Sequence, residues 1–267
     1  MDQPADLLAL ALSVARSASD LANRMRAVGV DAVATKSTAT DVVTAADRAV
    51  EQHVRERLRA ARPGDSVLGE EYGGGQDEDR SPVRWIVDPI DGTVNYLYDL
   101  PQYAVSLAAE VDGVVVAGVV RNGATGREWT ATRGGGAFQG ERRLRVSGET
   151  DLAQALVGTG FGYAAERRLH QARVLAGLIG HIRDIRRMGA ASIDLCLVAE
   201  GSLDAYYEKG LNPWDHAAGG LVAAEAGALV TGLSGAAPGP DMVIAAPPAL
   251  HPRLHDRLSE LDAAGGP

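Results

Sequence analysis

Over residues 4 to 28 the apolar positions recur as Leu7, Leu8, Ala11, Val14, Ala15, Ala18, Leu21, Ala22 and Met25. This is the stripe of an amphipathic helix, and Pro4 suits its first turn. A second stripe, Val43, Asp47, Val50, Val54 and Leu58, predicts a helix from about residue 42 to 61, capped by Thr40 or Asp41 and stopped by Pro63-Gly64. It sets one acid among valines, and a buried carboxylate needs a partner. SVLGEE (66–71) and RWIVD (84–88) read as strands. YAVSLAAEV and VVVAGVV, joined by Asp112-Gly113, read as a hairpin, and Gly123 to Gly126 turns the chain into REWTAT. The first half therefore predicts two helices on an antiparallel sheet.

From about residue 150 strand and helix patterns alternate: ALVGTG, a helix over 165–179, IRDI, a helix over 190–200, LDAYY, a helix over 213–226, ALV, MVIAA and a final helix. Such alternation predicts α/β layering. The change near 145–152 is the expected boundary, giving an N-terminal α+β half over 1–147 and a C-terminal α/β half over 148–267. GGG at 73–75 and 134–136, and GLSGAAPGPD at 232–241, read as loop material, and no internal repeat is present.

With 267 residues, 46% of them apolar, the chain can build a large core. Its charge of −9, spread without a basic block, repels nucleic-acid backbones and anionic membrane surfaces, so neither is an expected partner. No run approaches the ~18–20 apolar residues of a membrane span, and the start MDQPADLL lacks signal-peptide regions, so the expected location is the cytoplasm. The one cysteine, Cys196 in ASIDLCLVA, excludes an internal disulfide and a cysteine metal cluster, and reads as a small core residue. Only two of 26 cationic side chains are lysines, Lys36 and Lys209. A lysine kept in an arginine-rich chain marks either chance or a place that needs a compact ammonium.

Candidate chemistry centres on WIVDPIDGTVNY (85–96), where an apolar strand ends in Asp88 and Pro89 prevents the ladder from continuing. Asp88, Asp91 and the Ile90 carbonyl can converge on a hard divalent cation such as Mg²⁺, while Gly92 and Thr93 can turn backbone N–H groups toward an anion. A strand followed by an Asx-type turn accounts for the same residues without any ligand. Two further segments bear on the choice. LGEE ends an apolar run in Glu70 and Glu71, with Glu71 read as the solvated member, and NPWDHAAGG opens a helix with Asp215 in its first turn, where capping alone can place an acid. If Glu70, Asp88, Asp91 and Asp215 meet, their repulsion and desolvation call for two or more divalent cations. The six histidines lack ligand spacing; His216 reads as a group behind the site or at the surface.

These segments resemble the inositol monophosphatase family, Mg²⁺-dependent, lithium-sensitive phosphatases related to fructose-1,6-bisphosphatase. The resemblance rests on KSTATDVVTAAD (36–47), GEE (69–71), WIVDPIDGTVNY, RRMGAASIDLCLVAEGSLDAYYE (186–208) and WDHAAGGLVAAEAGA (214–228), and covers almost the whole chain. It implies a layered αβαβα fold, usually homodimeric, binding two or three Mg²⁺ through Glu70, Asp88, the Ile90 carbonyl, Asp91 and Asp215. It further implies a phosphate-binding turn at Asp91, Gly92 and Thr93, and a water-orienting group of Glu70 with the Thr93 and Asp47 pair. Polyol contacts are implied at Gly189, Ala190, Ala191, Glu208 and Asp215, and a mobile loop at Lys36 and Asp41. Ala190 departs from the hydroxyl residue common there, which weakens any preference for one inositol phosphate isomer. Glu208 alternatively reads as an exposed turn acid.

The expected function is hydrolysis of a small phosphate monoester, best matched by myo-inositol 1-phosphate, by direct attack of water. The same chemistry on histidinol phosphate, fructose 1,6-bisphosphate or adenosine 3′,5′-bisphosphate is the alternative. For a bisphosphate, Arg167, Arg168, Arg186 and Arg187 could supply a second cationic cluster. From another class, the chain reads as a regulatory binding protein on a phosphatase fold.

Overall fold

A computed structural model of the chain describes residues 3–29, 32–35, 42–74 and 81–266. The first half runs α1 (Pro4–Val28), β1 (Ala32–Thr35), β2 (Val42–Thr44), α2 (Ala45–Ala61), β3 (Ser66–Gly69), β4 (Gly73–Gly74), β5 (Val83–Asp91) and α3 (Thr93–Leu97). It continues through β6 (Ala104–Val111), β7 (Val114–Asn122), β8 (Glu128–Thr132), β9 (Gly136–Gln139) and β10 (Arg142–Arg143). The second half runs β11 (Leu156–Thr159), α4 (Ala165–Leu178), β12 (Asp184–Arg186), α5 (Ala191–Ala199), β13 (Ala205–Glu208), α6 (Pro213–Glu225), β14 (Leu229–Thr231), β15 (Val243–Ala246) and α7 (His251–Glu260).

Among the described residues β10-β9-β8-β7-β6-β5-β3-β4 form one sheet, antiparallel except for the β3 and β5 pair, and β12-β11-β13-β15-β14 form a second, mixed sheet. Two-residue alternation along the strands separates the layers. In β5, Trp85 and Val87 face the core under α1 and α2, while Ile86 faces the core shared with α5 and α6. In β15, Val243 and Ala245 face α5 and α6, whereas Ile244 and Ala246 face α4 and α7. The layering is αβαβα, as expected. No helix among the described residues is long and apolar enough to cross a membrane.

Several local expectations change. Helix α2 begins at Ala45 instead of 42, because Val42–Thr44 pairs with β1 and Thr44 caps the helix: its Oγ1 accepts from Ala46 N (3.1 Å) and Asp47 N (3.3 Å). Asp47 returns the bond by accepting from Thr44 N at 2.7 Å. Thr40 and Asp41 lie outside the described residues, as does the Val43 side chain. Pro89 does not end β5: pairing with β6 shifts register between Asp88 and Asp91 and resumes at Asp91 opposite Ala104. A bulge absorbs the missing N–H. Gly73–Gly74 and Gly136, expected in loops, belong to β4, an edge strand, and to β9, a short strand between β8 and β10. The Asp112-Gly113 hairpin forms as expected, with φ of 49° and 80°, the two positive values of a primed turn.

Candidate active site

The bulge in β5 carries two buried acids, Asp88 and Asp91. Asp88 Oδ1 accepts from Ile90 N at 3.0 Å. Asp91 Oδ2 lies at the N-terminus of α5, where it accepts from Ser192 N (2.7 Å) and from Ser192 Oγ. Asp215 stands in the first turn of α6 and accepts from Asn212 N at 2.6 Å, so it caps its helix as well as facing the other two. One carboxylate oxygen from each of Asp88, Asp91 and Asp215 lies within 4.8 Å of the others, an arrangement that could hold a metal ion. Glu70 is not in that trio; it lines the same cavity of about 560 Å³. Glu71 is half-buried, as Glu70 is, and only Glu70 is a lining residue.

Burial pushes the Asp91 carboxyl up to about 6 against the bonds from Ser192. Burial, then the charges of Asp91 and Glu70, push Asp215 well above the carboxylate range. The donors are all hard oxygens, crowded and partly desolvated, which suits a hard divalent cation.

Gly92, at φ 88°, turns the chain into α3, and a Cβ there would lie 2.7 Å from the Gln102 carbonyl and 3.1 Å from that of Gly189. The glycine thus lets the turn abut the loop before α5. Thr93 Oγ1 lies 3.0 Å from Asp47 Oδ1, to which it donates, and 3.1 Å from the Ile90 carbonyl. Asp47 is fully buried, and that burial pushes its carboxyl up, opposed by the bonds from Thr44 and Thr93. The acid among valines therefore has both a local partner and one 46 residues away.

Gly189, Ala190, Ala191 and Glu208 also line the cavity, the first three at the start of α5 against the Gly92 turn and Glu208 from β13. Glu208 is half-buried and accepts from Tyr206 Oη; burial raises its carboxyl to about 7. Arg167 and Arg187 also line the cavity, whereas Arg168 bonds the Tyr163 carbonyl and Arg186 pairs with Asp184. Lys36 and Asp41 lie outside the described residues. Lys209 is buried and spends its ammonium on the Gly265 and Gly266 carbonyls at 2.6 and 3.1 Å. His216 is half-buried and absent from the lining.

Two residues were overlooked in the sequence. Ser192 holds Asp91, and Asp194 is a buried acid whose Oδ1 lacks a partner and whose carboxyl is pushed well up by burial and then by Glu208. The available signal was a serine and an acid in the otherwise apolar ASIDLCLVA.

The model of the inositol monophosphatase family matches residues 3–263. An inositol-1-monophosphatase of Mycobacterium leprae is 48% identical over 244 residues, covering 88% of this chain and 84% of that protein. The solved structure of Mycobacterium tuberculosis SuhB superposes with a TM-score of 0.85 at 41% identity, covering 99% of this chain and 100% of that one. A Pseudomonas aeruginosa protein called Nus factor SuhB is 41% identical over 237 residues, 86% of each chain. On a match that runs almost end to end, the chain belongs to the inositol monophosphatase family.

Proposed function

We propose that this chain, a phosphoric monoester hydrolase by family, hydrolyses inositol monophosphate, with myo-inositol 1-phosphate the best match, to inositol and phosphate. The observation that carries the reading is the convergence of Asp88, Asp91 and Asp215 beside the Gly92 turn in a cavity large enough for a sugar-sized ester. Mg²⁺, as two or three ions, is assigned to Glu70, Asp88, the Ile90 carbonyl, Asp91 and Asp215. Such ions, when bound, supply Lewis-acid charge to the ester and acidify a water.

The protein's own groups do the positioning. With its proton directed to Asp47, Thr93 Oγ1 keeps lone pairs to accept from a water, and Glu70, which lines the same cavity, offers a second acceptor. Two acceptors fix that water's orientation relative to an ester lodged at Gly92 and Thr93. Asp91, Gly92 and Thr93 take the phosphate. Gly189, Ala190, Ala191, Glu208 and Asp215 take the polyol. In this reading no side chain becomes phosphorylated, because Asp88 and Asp91 are committed as ligands.

Phosphate release from a panel of monoesters, with and without Mg²⁺, tests the proposal. Asp91→Asn should lower the metal-dependent rate by about 10²-fold or more, in the range expected for removing a charge-stabilising group. Silence across the panel, or a phosphoaspartate trapped on Asp88 or Asp91, would defeat it. Arg167 and Arg187 in the lining support a second reading, a bisphosphate ester as substrate, so the panel includes fructose 1,6-bisphosphate, adenosine 3′,5′-bisphosphate and histidinol phosphate. A regulatory binding role has support in the relative called Nus factor SuhB, but the complete set of acids favours the enzyme. The cytoplasmic location and the homodimer, both expected at the outset, belong to the same proposal, and sedimentation velocity tests the dimer.

A further inference from the structure

Glu51 lies one helical turn after Asp47 on the buried face of α2, and its side chain is fully enclosed. A carboxylate so placed must be matched by donors. Glu51 accepts from three: the backbone N–H of Glu71 at 2.6 Å, that of Tyr72 at 3.3 Å, and Arg55 Nε at 2.8 Å. Arg55, one turn further on, directs its other nitrogens to carbonyls on either side of the same turn, bonding Val67 O at 3.2 Å and Gly73 O. Its guanidinium also lies 5.8 Å from the centre of the Tyr72 ring.

The pair therefore matches the turn between β3 and β4 group by group, anion to amides and cation to carbonyls. β3 and β4 pair at Gly69 and Gly73, so Glu70, Glu71 and Tyr72 are the whole of the turn between them. Gly69 admits the arrangement: a Cβ there would lie 2.0 Å from Glu51 Oε1 and 2.7 Å from Oε2. The GEE motif thus has a packing reason for its glycine as well as a chemical one for Glu70.

We infer that Glu51, with Arg55, is a positioning residue that holds the Glu70 turn at the edge of the cavity and so sets the affinity of the site for its cation. Helix α2 then serves the site twice from one face, through Asp47 to Thr93 and through Glu51 to the Glu71 amide that follows Glu70. The inference rests on the proposed role of Glu70 as a cation ligand. A buried carboxylate that orients a ligand from behind is worth about 10- to 100-fold in metal affinity when it is altered.

The test is calorimetric titration of Mg²⁺ alone into the full-length protein, together with the Mg²⁺ dependence of ester hydrolysis, for Glu51→Gln, Arg55→Met and Glu70→Gln. Glu51→Gln removes the charge but keeps the shape. It should weaken Mg²⁺ binding and raise the Mg²⁺ concentration for half-maximal rate by about 10- to 100-fold, with the ester KM at saturating Mg²⁺ nearly unchanged. A shift with Glu70→Gln but none with Glu51→Gln overturns the positioning role while leaving Glu70 a ligand. No shift with Glu70→Gln overturns the reading of Glu70 itself, and the inference with it. A change confined to the ester KM also overturns the positioning role. Should Glu51→Gln fail to fold by circular dichroism, Arg55→Met decides: unaltered Mg²⁺ binding there refutes the clamp.

Discussion

Gly92 and Thr93 show how tightly single positions are constrained. Gly92 combines a left-handed φ of 88° with backbone oxygens where a Cβ would stand. Gly92→Ala is therefore expected to cost about 1–3 kcal/mol, the scale of backbone strain, and to depress turnover, read together from urea melts and phosphate release. Thr93→Val leaves Asp47 Oδ1 facing a methyl in a buried setting. The loss should be about 1–3 kcal/mol in stability, with kcat down by about 10²-fold if the hydroxyl orients the attacking water. KM should move little and Thr93→Ser should recover most of the rate; a fall in KM-dependent terms alone would argue for substrate binding instead. That Asp47 needs a partner was legible from its place in an apolar stripe. Its bond across the fold to Thr93 was implied by family resemblance, since spacing along the chain contains nothing about it.

At the scale of elements, α1 matched its expected limits because a long run at helical spacing, opened by proline, is a redundant signal. The start of α2 was displaced because local capping chemistry outranked periodicity. Thr44→Ala removes the acceptor for two amides and a donor to Asp47. It should cost about 1–2 kcal/mol in thermal or denaturant melts and lower the rate as Asp47 loosens; an unchanged melt would show that the cap is dispensable. The short strands β4 and β10 had no legible pattern, for their glycines and arginines lie at a sheet's two edges, and β9, four residues long, is too short to show one. In β5, Pro89 punctuates correctly but with another outcome: pairing with β3 ends at Val87, pairing with β6 resumes beyond a bulge, and the bulge presents Asp88 and Asp91 together.

Across the whole molecule, α5 and α6 join the two sheets, and their close approach depends on small residues. A Cβ on Gly219 of α6 would lie 2.8 Å from the Ser192 carbonyl of α5, the residue that bonds Asp91. Gly219→Val should therefore destabilise the protein by about 1–3 kcal/mol through overpacking and reduce activity with it, measured by melting and phosphate release. The pH dependence also belongs to this scale. Asp91 is raised from 3.8 to about 6 and Glu208 from 4.5 to about 7. An acid with a raised folded-state value holds its proton more tightly when folded, so its stabilisation is full below the unfolded value and is lost as pH climbs through the folded one. The metal-free protein should lose on the order of 3 kcal/mol through Asp91 alone as pH rises from about 4 to about 8. Added Mg²⁺ should then raise the melting temperature more at high pH than at low pH; an equal rise at both ends would contradict this account.

The chain by itself determined its helices, its hairpin and the identity of the acids, because these follow from neighbours a few residues apart: periodicity, turn chemistry and motif. Only the tertiary structure decided that Asp88, Asp91 and Asp215 meet while Glu70 faces them from a separate turn, and that Ser192 and Glu51 hold this arrangement from behind. The Asp91–Ser192 bond alone joins segments 101 residues apart. Such contacts exist because two sheets and the helices between them bury a common core, and no local pattern contains that distance.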